Sequence, residues 1–139
     1  NPVNKFVAGF LGSPPMNFLD AELVDEGGSL FAAGEGFHLR LPDALTNAAK
    51  ASDGSQVLLG VRPSDLDYAP EAATDASFDL KVVVSEYVGA QSVLICDCGK
   101  ARVTVEIKSE TPIALGETLR FAARPEGLHL FNPKTERAL

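Results

Sequence analysis

FDLKVVVSEYVGAQSVLICDCGKARVTVEIK, residues 78–108, reads as three strands joined by two tight turns. Leu80, Val82 and Val84 alternate with Lys81, Val83 and Ser85, a period of two that sends one set to a sheltered face. Gly89-Ala90 and Gly99-Lys100 interrupt the pattern, glycine supplying turn backbone that other residues resist. Strands are therefore expected over 78–88, 91–98 and 101–108. Cys96 and Cys98 share a face of the middle strand. A disulfide between them would close a very small, badly shaped ring. His38 and His129 lie far away in sequence, so the spacing favours two reduced, partly buried thiols over a metal site.

The same period runs outward in both directions. Met16–Val24, Ser29–Ala33 and Phe37–Leu41 read as strands separated by Gly27-Gly28 and Gly34-Glu35-Gly36. Gln56–Arg62 is an apolar strand stopped by Pro63, and Thr118–Ala123 and Gly127–Phe131 close the series. Asp43–Lys50 suits a short helix with Asp43 as its N-cap. Residues 65–77, acidic and rich in Ala and Pro, read as a loop. Near the start, Phe6, Val7, Phe10 and Leu11 fall at helical spacing, and Gly12 and Ser13-Pro14-Pro15 end that helix. The expected organisation is a short helix over 1–12 and a β domain over 13–139. Many short strands with turn signals between them give a mainly β fold, a sandwich or barrel of antiparallel strands. One local echo stands out: Val61-Arg62-Pro63-Ser64-Asp65-Leu66 against Ala123-Arg124-Pro125-Glu126-Gly127-Leu128. Two Arg-Pro corners that end two strands hint at two similar β lobes.

Composition sets the remaining bounds. A chain of 139 residues, 45% hydrophobic and 22% charged, is an ordinary globular domain that folds without staples. Its net charge of -7 and singly scattered basic residues argue against a nucleic-acid partner, whose phosphates need clustered Lys and Arg. Aromatics are 7% and Trp is absent, which also disfavours a single-strand binder with stacking platforms. No run of about 18 apolar residues spans a membrane, and no charged start with a long apolar run marks a signal peptide. The opening at Asn1, without Met, leads one to expect residues upstream. There is no G-x-x-x-x-G-K-[ST] phosphate loop, no dinucleotide fingerprint and no G-x-S-x-G. Most of the carboxylates fall in turns, where they are solvated charges. Neither catalysis nor a bound cofactor is expected of this chain.

Residues 1–18, NPVNKFVAGFLGSPPMNF, resemble the junction segment of ATP-binding subunits of carbohydrate-uptake ABC importers, those for maltose, other oligosaccharides and glycerol-3-phosphate. Leu59-Gly60-Val61-Arg62-Pro63, the 83–93 hairpin with Glu86, Gly89 and Ala90, and Leu128-His129-Leu130-Phe131-Asn132 are similar to later motifs of that family, in the same order. The resemblance implies an OB-like β-barrel of the TOBE type with a short N-terminal helix. It further implies a regulatory domain that holds two ATP-binding subunits together as a homodimer. Expected partners are the ATPase domain, the membrane permease subunits and a regulatory protein. The ATPase domain, with its ATP and Mg, would lie upstream, and the whole would be cytoplasmic and peripheral to the inner membrane.

Ser64 departs from the family's usual Glu after Arg-Pro, whereas Glu126 keeps the acid at the second corner. Arg62, Ser64, Arg124 and Glu126 are thus interface or regulatory candidates, with Phe6 and Phe10 as docking residues for the ATPase domain. The competing reading bonds the corner arginines to nearby backbone carbonyls and packs the phenylalanines on the barrel. A sensor of sugars or oxyanions is the alternative function, although an oxyanion site would want a basic cluster that this chain lacks.

Overall fold

The computed structural model describes residues 15–50, 54–89, 91–108, 113–135 and 137–139. The expected helix over 1–12, with Phe6 and Phe10, lies outside the described residues. Among the described residues ten strands and one α-helix follow in order: β1 Asn17–Glu26, β2 Ser29–Gly34, β3 Phe37–Arg40, α1 Asp43–Lys50, β4 Gln56–Val61, β5 Leu66–Tyr68, β6 Ser77–Val88, β7 Gln91–Cys98, β8 Ala101–Lys108, β9 Thr118–Ala123 and β10 Leu128–Phe131. The fold is mainly β, as the period of two requires, and β7, β8 and β9 have the expected bounds. Among the described residues no helix is long and apolar enough to cross a membrane.

Three expectations are corrected. β5 occupies part of the stretch read as a loop: three residues are too few to show a period, and pairing with β9 makes them a strand. Asp43 is the first helical residue rather than the N-cap, because the carbonyl of Pro42 accepts from Leu45 and Thr46. Val84 does not join Leu80 and Val82 inside. The β6–β7 register slips between Val82 and Val84, and one extra residue turns every later side chain over. Val82 is fully buried while Val84 is 40% exposed.

All ten strands belong to one antiparallel sheet that curls on itself, and its pairing repeats. β1 pairs with β2 and β4, β2 with β3, and β4 with β10. In the second half β6 pairs with β7 and β9, β7 with β8, and β9 with β5. Each half therefore takes its last strand from the other. The exchange happens at the Arg-Pro echo: proline has no N–H to continue the ladder, so the chain leaves in a 3-10 turn, Pro63–Asp65 or Pro125–Gly127, and re-enters the opposite half. The sequence hint of two similar lobes becomes two like halves, interlocked rather than side by side.

The halves also meet at the starts of their long strands. β6 touches β3 through a single bridge, Phe37 to Phe78, with ring centroids 5.2 Å apart. At the matching seam, Asn17 of β1 uses its side chain instead. Its Nδ2 donates to the Thr104 carbonyl at 2.8 Å and its Oδ1 accepts from the Thr104 N–H at 2.8 Å. A side-chain amide offers the same donor–acceptor pair as a peptide group, so it completes the β8 edge where the backbones do not pair.

The inward faces make one core running through both halves, with Leu19, Leu39, Leu59, Leu80, Leu94 and Phe121 among its members. A smaller cluster of Met16, Leu58 and Phe131, flanked by Phe18, lies on the other side of β1, β4 and β10. Gly60 makes room for it: a Cβ there would come within 2.6 Å of the Met16 sulfur and 2.8 Å of the Phe131 ring.

Candidate functional site

Four of the candidate residues sit on the two corners, and the ladders bring the corners together. Leu66 faces Ala123 and Leu128 faces Val61, so each corner continues a ladder made with the other. Arg124 N–H donates to the Asp65 carbonyl at 3.0 Å, while Asp65 and Gly127 close their own turns on the carbonyls of Arg62 and Arg124. The contact is close because residue 127 has no side chain. A Cβ there would sit 2.6 Å from that of Asp65.

Equivalent arginines meet different partners. Arg124 forks onto Asp67 of β5, Nε to Oδ2 at 3.1 Å and Nη2 to Oδ1 at 3.2 Å. That pairing, first through the hydrogen bonds and then through charge, raises the arginine's already high pKa. The position matching Asp67 in the other half is His129 of β10, beside Arg62. Burial first, and then the Arg62 charge, hold the His129 imidazole below its usual 6.5, so it is neutral at pH 7. Arg124 thus pairs with a carboxylate of its own chain, whereas Arg62 stands next to a ring that is harder to protonate because of it.

Ser64 and Arg124 line one cleft of about 340 Å3. β5 contributes Asp67 and Tyr68 to it, and the ends of β7 and β8 contribute Gln91, Glu106 and Lys108. Glu126 is exposed on the second corner and does not line this cleft. Sequence reasoning named two members of the cleft and missed the rest. The Arg-Pro echo held a usable signal, since residues at matching distance after each proline face the other corner's arginine.

The two thiols face the core from β7, as their spacing requires. Burial, and secondarily the Asp97 carboxylate, pushes the Cys96 pKa up to about 12. Burial, followed by Glu35, pushes Cys98 to about 11, and its Sγ donates to the Glu35 carbonyl at 3.1 Å. Both are unreactive neutral thiols at pH 7. Among the described residues no group of three or more His, Cys, Asp or Glu is placed to hold a metal ion.

Two family models match in tandem: the MalK OB fold domain over residues 12–66 and the TOBE domain over residues 59–131. They overlap on β4 and the first corner, where the two halves exchange strands. The chain is 36% identical to the sn-glycerol-3-phosphate import ATP-binding protein UgpC of Chromobacterium violaceum, over 99% of this chain and 35% of that protein. It is 32% identical to the multiple sugar-binding transport ATP-binding protein MsmK of Streptococcus mutans, over 99% of this chain and 37% of that one. The chain therefore spans under two-fifths of the length of these relatives. Among solved structures, the cytoplasmic molybdate-binding protein ModG superposes with a TM-score of 0.66 at 12% identity, covering 84% of this chain and 96% of ModG. That likeness concerns the fold: a curled sheet with OB character. With the TOBE model matched over more than half its length, the chain belongs to the TOBE domain family.

Proposed function

We propose that this chain is the regulatory and dimerising β domain of an ATP-binding subunit that drives import of sugars or glycerol-3-phosphate. The observation that carries the reading is the extent of the likeness. Relatives named for glycerol-3-phosphate import and for multiple-sugar transport match 99% of the chain, and each is more than twice its length. In this reading the rest of such a subunit binds ATP and Mg and couples hydrolysis to membrane permease subunits at the inner face of the membrane. The β domain does no chemistry. It pairs with a second copy and offers its outer faces, including Arg62, Ser64, Arg124 and Glu126, to a regulatory protein.

Two measurements test it. The coding sequence upstream of Asn1 should encode a G-x-x-x-x-G-K-[ST] phosphate loop in the same reading frame; an unrelated domain or a start codon there overturns the importer reading. Sedimentation equilibrium of the chain over a wide concentration range should show reversible dimers, and a strict monomer removes the dimerising role. The alternative of an oxyanion sensor gains only fold likeness from ModG. The cleft near the second corner sets two carboxylates, Asp67 and Glu106, against its two bases, so it has no surplus of positive charge to hold an anion. Saturable heat on titrating molybdate or sulfate would favour the sensor.

A further inference from the structure

The cleft beside the second corner has a composition that the fold does not demand. We propose that it binds a neutral, hydroxyl-rich small molecule about the size of one sugar ring, stacked on Tyr68 and hydrogen-bonded by Asp67, Arg124, Gln91 and Glu106. The volume, about 340 Å3, is that of a small-ligand pocket. Tyr68 is 38% exposed although it sits opposite the buried Phe121, with ring centroids 5.9 Å apart. A half-open aromatic held by a buried neighbouring ring is a platform for the C–H face of a saturated ring.

The polar groups suit hydroxyls rather than ions. The fork between Arg124 and Asp67 fixes a donor plane beside an acceptor plane, leaving further N–H groups and lone pairs for a ligand. A pair of neighbouring hydroxyls, each able to donate and accept, matches such a surface. Gln91 adds an amide with both functions, and Glu106 adds a second acceptor from β8. The bases Arg124 and Lys108 are balanced by the acids Asp67 and Glu106, so the walls select neither an anion nor a cation.

The internal repeat supplies a control. In the other half, the ladder places Leu130 where Tyr68 stands and His129 where Asp67 stands. Leu130 is buried, and the half folds without an exposed ring or a forked carboxylate. Tyr68 and Asp67 therefore differ from what the shared framework carries in the other half, and both line one cleft at the edge of β5. The proposal goes beyond the importer reading and uses only this chain's own surface.

Chemical-shift titration of the labelled chain decides it, with glucose, maltose and glycerol as neutral probes and sulfate as the charged one. Glucose or maltose should shift the amides of Ser64–Tyr68, Gln91 and Glu106–Lys108 saturably, with a Kd of about 1 mM or tighter, and sulfate should not. Tyr68→Ala should weaken binding at least about tenfold, whereas Tyr68→Phe keeps the platform and the affinity. Asp67→Asn should weaken it as well, with the dispersion of the remaining spectrum unchanged. Saturation by none of the three neutral probes, shifts mapping away from the cleft, or sulfate competing at the same amides overturns the proposal. None of those outcomes touches the importer reading, which the upstream coding sequence decides.

Discussion

Phe18, Leu58 and Phe131 lie on the outer side of β1, β4 and β10, and the matching strands β6, β9 and β5 set Ser77 and Arg120 there, with Ala69 just past the end of β5. The equivalence follows from the two sets of ladders, which share one pairing scheme. On the first face the rings of Phe18 and Phe131 meet edge to face at 5.5 Å, and Phe131 is fully buried. On the second, Arg120 reaches Asp79 at 3.3 Å and the Ala72 carbonyl at 2.9 Å, and Arg124 reaches Asp67. One half has added a small second core while the other has added a lattice of exposed ion pairs. The inner face is what the shared fold requires, and the outer face is free to take either chemistry.

The energetic contrast between the faces should be large. Phe131→Ala removes a fully buried ring and should cost about 3–5 kcal/mol in urea unfolding. A loss below about 1 kcal/mol would mean that the outer cluster is no core at all. Gly60→Ala tests the same face from below: its methyl would press on Met16 and Phe131 and should cost about 1–3 kcal/mol. The matching position on the charged face already carries Ala122, where the reverse change to glycine should cost no more than about 1 kcal/mol. Equal costs at the two sites would erase the distinction. On the charged face, Arg124→Gln should leave the unfolding midpoint within experimental scatter, because an exposed pair is screened by water and salt.

The smallest expected effect is a matter of pH. His129 is held below 6.5 in the folded chain, so between 6.5 and that lower value the unfolded chain binds the proton more readily. Stability from this site is whole above pH 6.5 and drains as pH falls through the folded-state value. His129→Gln should flatten that slope, measured as urea midpoints from pH 7.5 downward, and Arg62→Gln should reduce it. An unchanged slope in both variants would remove the Arg62–His129 contrast with Arg124–Asp67.

Much of the fold was legible because alternation and glycine turns are local. β7, β8 and β9 follow from residues 91–98, 101–108 and 118–123 without reference to anything distant. The bulge at Val82/Val84 was not, since three consecutive valines carry no mark of which one is skipped. β5 was missed because its three residues are a strand only by virtue of β9. At the site, Ser64 and Arg124 were singled out by their place after or within Arg-Pro. Their companions Gln91, Glu106 and Lys108 lie on strands whose sequence says only that they face outward.

By itself, then, the sequence determined every strand but β5, the buried pair of thiols, the two proline-terminated corners and the family likeness, all of which depend on neighbours a few residues apart. The tertiary structure alone decided that each half borrows its last strand from the other and that Asn17 stands in for a backbone pair at the β1–β8 seam. It also decided that Arg124 finds Asp67 while Arg62 finds His129. Those outcomes depend on which edges remain unpaired once the sheet curls, and pairing between distant strands is chosen by the whole chain closing its hydrogen bonds and its core at once.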